Sequence, residues 1–101
     1  MTIAEFQEII RRTYHDRDAG RGDAATFMWL VEEVGELARA LQDSDPDSLR
    51  EEFADVLAWL TTLASIAGVD LEDAATARYG EGCPKCRQIP CTCPRGALPT
   101  S

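Results

Sequence analysis

Two short acidic motifs with the same layout lie in the middle of the chain. The first is Glu32-Glu33-Val34-Gly35-Glu36 and the second is Glu51-Glu52-Phe53-Ala54-Asp55. In each motif, two carboxylates stand three residues apart, which places them on one face of a helix. Like charges at this spacing repel each other and destabilise a helix. The repetition therefore predicts that a cation lies between the carboxylates, and hard oxygen ligands favour Mg²⁺, Mn²⁺ or Ca²⁺ over zinc.

Four cysteines lie close together near the end of the chain: Cys83, Cys86, Cys91 and Cys93. The Cys-x-x-Cys spacing of the first pair is typical of zinc knuckles, and four thiolates suit tetrahedral Zn²⁺. Because all of them fall in one short segment, they cannot cross-link the body of the fold as scattered secretory disulfides do. The pattern favours a structural zinc site, while an iron–sulfur cluster or a redox pair is compatible with the spacing.

The chain is short and acidic. Its 101 residues suffice for one domain with a modest core, and its formal net charge is -8, from 18 acidic and 10 basic residues. This charge argues against a nucleic-acid polymer or an anionic membrane as a partner. No apolar run approaches the roughly 20 residues of a membrane span, and the first residues lack the basic-then-apolar pattern of a secretory leader. We therefore expect a cytoplasmic protein.

Apolar residues recur at helical spacing in four segments, and no segment alternates as a strand does. The predicted helices cover about residues 2–19, 24–42, 46–68 and 70–79, so the predicted fold class is all-α. The Gly-, Pro- and Cys-rich remainder has no periodicity. The sequence thus predicts a helical domain at residues 1–80 and a zinc-binding tail at residues 81–101.

The acidic motifs occupy equivalent positions on the second and third helices. A short turn at Ser44-Asp45-Pro46 makes these helices antiparallel, which is expected to bring four carboxylates together. These are Glu33, Glu36, Glu52 and Asp55. Gly35 in a helix interior costs about 1 kcal/mol relative to Ala, so we expect a neighbouring backbone, near Ala54, to approach it closely.

The acidic motifs carry a resemblance to a known family. The runs 32–37 and 52–57 resemble the EExxE and ExxD signature of the MazG-like all-α nucleoside triphosphate pyrophosphohydrolases. The resemblance covers roughly residues 2–79. It implies a four-helix bundle-like fold, extended here by a small C-terminal zinc knuckle. Because a four-helix chain of this size leaves apolar surface to bury, we expect a homodimer or a dimer of dimers.

The resemblance also implies roles for the acidic residues. Four of them would hold Mg²⁺, with Mn²⁺ as an alternative, against the phosphates of a nucleotide: Glu33, Glu36, Glu52 and Asp55. Glu32 would assist as an outer ligand or as a base that orients water. The metal would neutralise the triphosphate and activate the water that attacks the α-phosphorus. The expected products are a nucleoside monophosphate, from an NTP or a dNTP, and pyrophosphate.

Other interpretations of the same residues stay open. Phosphoribosyl-ATP pyrophosphohydrolase uses a similar acidic helical site for the same reaction on another substrate. A catalytically silent nucleotide or metal sensor, or a zinc-containing interaction module, would need the acids for binding alone. The acids are also compatible with the solvated face of amphipathic helices.

Aromatic and basic residues are candidates for contact with the nucleotide. Trp29 precedes Glu33 by one turn and Trp59 follows Asp55 by one turn, so both fall toward the same end of the acidic site. They could stack on a base or belong to the core or a dimer interface. The family often places basic residues near its C-terminus against phosphates. The candidates here, which are also compatible with solvated surface charge, are Arg78, Lys85 and Arg87.

Overall fold

The computed structural model describes residues 1–94, which form four helices and no strand. The helices are α1 (Ile3–Ala19), α2 (Gly22–Asp43), α3 (Pro46–Ile66) and α4 (Leu71–Tyr79). The predicted all-α class is confirmed, and residues 95–101 of the predicted tail lie outside the described residues. Within this part of the chain no single helix is long and apolar enough to cross a membrane; α3 and α4 meet the length and composition of a span only when joined.

Side-chain caps fix where α1 and α3 begin. The Thr2 hydroxyl accepts a hydrogen bond from the Glu5 N–H at 3.0 Å, and the Glu5 carboxylate accepts one from the Thr2 N–H at 2.8 Å. This reciprocal capping box satisfies backbone donors that have no partner inside the helix. At α3, Asp45 Oδ1 accepts from the Asp47 N–H at 3.1 Å, and Pro46 stands in the first turn, where its missing N–H is not needed.

The described chain forms two compact units, Met1–Leu71 and a second unit that begins at Glu72. In the first unit, α2 and α3 form the most extensive helix pair and α1 packs mainly against α3. The two-residue connection between α2 and α3 makes this pair antiparallel. The division into a domain of residues 1–80 and a tail of residues 81–101 stays a prediction.

Very few side chains in the described part of the single chain are buried. Among residues 1–94 they are Thr26, Ala40, Thr61, Thr62 and Cys83. The apolar stripes predicted for α2 and α3 stay largely open to solvent, with Phe27 54%, Val31 53%, Leu41 56% and Phe53 55% exposed. Monomeric soluble proteins rarely leave such a contiguous apolar surface uncovered.

The expectation for Gly35 is wrong within this chain. A Cβ atom built on Gly35 would have no neighbouring atom within 4 Å, and the residue is exposed. Because Gly35 lies on the exposed side of α2, the packing of α2 against α3 does not require a glycine there.

Candidate active site

The α2–α3 pair gathers three carboxylates at one place. Glu33 on α2 and Glu52 and Asp55 on α3 each offer an oxygen atom, and these atoms all lie within 4.8 Å of one another. Glu52 and Asp55 are three residues apart on α3, so they share the face that meets Glu33 across the pair. We call these three side chains the carboxylate cluster.

Burial and mutual repulsion govern the protonation of the carboxylate cluster. The pKa of Glu33 is raised from 4.5 to about 7, first by burial and then by hydrogen bonding to Glu52 and by the charges of Asp55, Glu52 and Glu36. Glu52 Oε2 is buried and has no hydrogen-bond partner among the described residues. A buried carboxylate oxygen without a partner is costly, and a divalent cation bound by oxygen would compensate it. The cluster therefore fits Mg²⁺ or Mn²⁺ in ligand type and charge.

Two predicted acidic residues lie outside the carboxylate cluster. The Glu36 carboxylate instead lies 3.5 Å from the guanidinium of Arg39, one turn later on α2. The Glu36 charge nevertheless contributes to the raised pKa of Glu33. Glu32 is exposed on α2. The metal-binding role of Glu36 and the water-orienting role of Glu32 stay predictions.

A cavity of about 330 Å³ adjoins the carboxylate cluster through Asp55, which belongs to both. Trp29 and Trp59 line it, stacked with ring centroids 5.9 Å apart and planes 15° from parallel. Offset stacking at this distance is favourable for aromatic rings. We call this space the aromatic cavity; its other lining residues are Ile10, Tyr14, Arg17, Asp18, Arg21, Ala58 and Thr62.

Sequence reasoning about substrate contacts did not single out the part of the aromatic cavity that α1 supplies. Tyr14, Arg17 and Asp18 come from the last turns of α1, and Arg21 follows in the connection to α2. The available signal was the charged run at residues 15–18, which is dense for a helix end. Without the packing of α1 on α3, that run could not be distinguished from a solvated surface.

The three predicted basic contacts belong to the second unit. The Arg87 guanidinium lies 3.0 Å from the Glu81 carboxylate, and the Arg78 guanidinium lies 5.9 Å from the centroid of the Tyr79 ring. Lys85 stands in the loop between Cys83 and Cys86. Contact of Arg78, Lys85 and Arg87 with substrate phosphates stays a prediction.

The four cysteines form a compact cluster in the second unit. Their sulfur atoms all lie within 4.8 Å of one another, with Cys83–Cys93 at 3.7 Å and Cys86–Cys91 at 3.9 Å, and none is in a disulfide. With Zn–S bonds of about 2.3 Å, a tetrahedral site has sulfur atoms about 3.8 Å apart. The observed distances therefore match the edges of a zinc tetrahedron.

The backbone around the cysteine cluster favours a thiolate at Cys86 and folds the loop tightly at Gly82. The Thr92 N–H donates to Cys86 Sγ at 3.4 Å, and it is the main cause that lowers the pKa of Cys86 to about 6. Gly82 adopts φ +94°, and a Cβ atom there would overlap Ile89 and the Gln88 backbone. The loop thus folds closely on itself, with a thiol that favours the thiolate a metal needs.

An all-helical protein with a carboxylate cluster beside an aromatic cavity has the parts of a metal-dependent enzyme that acts on nucleotides. Comparison with known proteins gives the family: residues 21–86 match the family model of the MazG nucleotide pyrophosphohydrolase domain. A dATP/dGTP diphosphohydrolase of Cyanophage S-2L is 36% identical over 77 residues, which are 76% of this chain and 70% of that protein. The chain belongs to the MazG nucleotide pyrophosphohydrolase family, and it is a nucleotide pyrophosphohydrolase.

Proposed function

We propose that the protein hydrolyses a purine deoxynucleoside triphosphate to the monophosphate and pyrophosphate, with Mg²⁺ or Mn²⁺ bound at Glu33, Glu52 and Asp55. The observation that carries this proposal is the convergence of three carboxylates within 4.8 Å at the edge of the aromatic cavity. The choice of a purine deoxynucleotide rests on the cyanophage relative, which is a dATP/dGTP diphosphohydrolase.

In this proposal, the aromatic cavity binds the base of the substrate and the carboxylate cluster lies at its phosphates. Trp29, supported from behind by the stacked Trp59 ring, would hold the base by stacking, which binds any base because every base has a π-face. The carboxylate cluster would hold the metal ions at the phosphates. Mg²⁺ held there would supply neutralisation of phosphate charge and activation of water for attack at the α-phosphorus. Glu33 must lose its proton before it can serve as a ligand.

The assembly we propose is a homodimer or a dimer of dimers. Its support is the exposed apolar face of the α2–α3 pair, where Phe27, Val31, Leu41 and Phe53 are each more than half exposed. A second copy that covered this face would remove apolar surface from water at about 25 cal/mol per Å². Self-association through one face on both subunits is the usual way in which homo-oligomers close.

For the cysteine cluster we propose a structural Zn²⁺ site. Four protein ligands leave no open position for water, so the metal would fold the loop and take no part in hydrolysis. This proposal is independent of the substrate.

A turnover assay tests the hydrolase proposal. Purified protein is incubated with and without Mg²⁺ on each dNTP, each NTP and phosphoribosyl-ATP, and release of pyrophosphate is measured separately from release of single phosphate. We expect Mg²⁺-dependent pyrophosphate release from dATP and dGTP. Glu52→Gln should lower kcat at least about 100-fold, a loss of the size seen when transition-state charge stabilisation is removed.

The matched control is Glu51→Gln, which removes the neighbouring exposed carboxylate and is expected to leave kcat within about twofold. Turnover on phosphoribosyl-ATP alone would replace the proposed substrate. Absence of turnover on every substrate, with Mg²⁺ bound and helices intact, would favour a sensor or an interaction module.

A further inference from the structure

The aromatic cavity contains an ion pair that stacking on a base does not explain. Arg21 Nη1 lies 2.6 Å from Asp18 Oδ1, and their side chains are only 19% and 15% exposed. The other ion pairs among residues 1–94 have side chains at least 40% exposed. The free energy needed to remove both charges from water offsets most of their mutual attraction, so a buried ion pair contributes little to stability by itself.

The turn between α1 and α2 does not depend on this pair for its backbone. The Arg21 N–H donates to the Asp18 carbonyl at 3.1 Å, which closes the turn through main-chain atoms. The Arg21 guanidinium lies 4.8 Å from the centroid of Trp59, a distance typical of a cation on an aromatic face. Arg21 is thus fixed at two points and holds the Asp18 carboxylate at the wall of the cavity.

We propose that Asp18 recognises the base of the substrate and selects purines that carry an exocyclic amino group; this rests on the proposed function of the same site. Because Trp59 lies between Trp29 and the Arg21 guanidinium, a base would stack on Trp29, which is 47% exposed, and turn its polar edge to the cavity wall. A carboxylate there accepts an amino N–H, which adenine offers at N6 and guanine at N2. The cavity, at about 330 Å³, is of the size that holds a single small ligand.

Asp18 lies outside the segment that the family model matches. The family model matches residues 21–86, which include Asp55 and both tryptophans but not Asp18. The metal and stacking parts of the site therefore lie in the shared segment, and the polar wall comes from α1. Asp18 touches the base, while Arg21 acts as a positioning residue.

Binding of nucleosides without phosphate or metal isolates this recognition from hydrolysis. Both tryptophans of the chain line the cavity, so their two indole N–H signals in ¹H–¹⁵N NMR report occupancy directly. Two ligand pairs differ only in the amino group: deoxyguanosine with deoxyinosine, and deoxyadenosine with purine deoxyriboside. In the wild type we expect the amino-bearing member of each pair to bind about 10-fold more tightly, because the other member leaves the Asp18 acceptor without a hydrogen-bond partner.

Asp18→Ala is expected to reduce this ratio to about 1, because alanine offers no acceptor. Asp16→Ala, an exposed carboxylate two residues earlier, is the matched control and should keep the ratio. Arg21→Ala keeps the acceptor and should weaken both members while retaining the preference. Helical circular dichroism checks that each variant is folded.

Equal affinities within both pairs in the wild type, or absence of any indole shift, would overturn the inference. A preference that survives in Asp18→Ala but vanishes in Arg21→Ala would assign recognition to Arg21 and overturn it as well. The turnover assay separates the two proposals. A protein that hydrolyses triphosphates but binds both members equally refutes only the role of Asp18, and one that shows the preference without turnover refutes only the hydrolase proposal.

Discussion

The raised pKa of Glu33 predicts that Mg²⁺ binding depends on pH between 6 and 8. A metal can use Glu33 only as a carboxylate, so the proton held by a group of pKa about 7 must leave first. The apparent affinity is then reduced about 11-fold at pH 6, about twofold at pH 7 and about 1.1-fold at pH 8. We therefore expect Mg²⁺ to bind about 10-fold more weakly at pH 6 than at pH 8.

Isothermal titration calorimetry in buffers of different ionisation enthalpy measures both the affinity and the protons released. Release should be about 0.9, 0.5 and 0.1 protons per bound cluster at pH 6, 7 and 8. Glu33→Gln should bind more weakly and lose most of this pH dependence, whereas Glu51→Gln should retain it. Equal wild-type affinity at pH 6 and pH 8, without proton release at pH 7, would refute the reasoning.

The remaining predictions concern stability, zinc and assembly. Without metal, the free energy of unfolding should fall as pH rises from 4.5 toward 7, because the folded state keeps a proton on Glu33 that the unfolded chain releases. Thermal unfolding in EDTA should show this trend, and saturating Mg²⁺ should remove it. Gln7→Ala should lower the free energy of unfolding in urea by about 1–3 kcal/mol. The Gln7 side-chain amide donates to Ser65 Oγ and the Val69 carbonyl and accepts from the Leu71 N–H, at 2.9–3.0 Å. The exposed control Gln42→Ala should lower it by less than about 0.5 kcal/mol. Elemental analysis should find one Zn²⁺ per chain that Cys83→Ser loses, and metal retained in that variant would contradict the four-thiolate site. Sedimentation velocity should show the proposed homo-oligomer for the wild type, and Phe53→Glu should shift it toward monomer because it places a charge on an apolar face that a second copy would bury. A monomeric wild type would contradict the proposed assembly, and an oligomer unchanged by Phe53→Glu would place the interface elsewhere.

Local patterns in the sequence were sufficient to predict the helices and the positions of the carboxylate and cysteine clusters. The period of the apolar residues predicted four helices, and the structure contains four. The equal placement of the acidic motifs on α2 and α3 predicted that carboxylates meet across the pair, because a short turn leaves those helices only the antiparallel arrangement. The cysteine spacing predicted a compact thiol cluster because the four cysteines are close together along the chain.

Only the tertiary structure decided which side chains share a site. Glu36 follows Glu33 by one turn, yet its carboxylate lies against Arg39 and outside the carboxylate cluster. Asp18 and Arg21 reach the aromatic cavity only because α1 packs against α3.

Periodicity along the chain determines which face of a helix is apolar, but it does not determine what covers that face or how a neighbouring helix is rotated against it. The exposed stripes of α2 and the open surroundings of Gly35 follow from that difference. Helix formation depends on contacts a few residues apart, whereas the cavity is lined by residues more than thirty positions apart, such as Asp18 and Asp55.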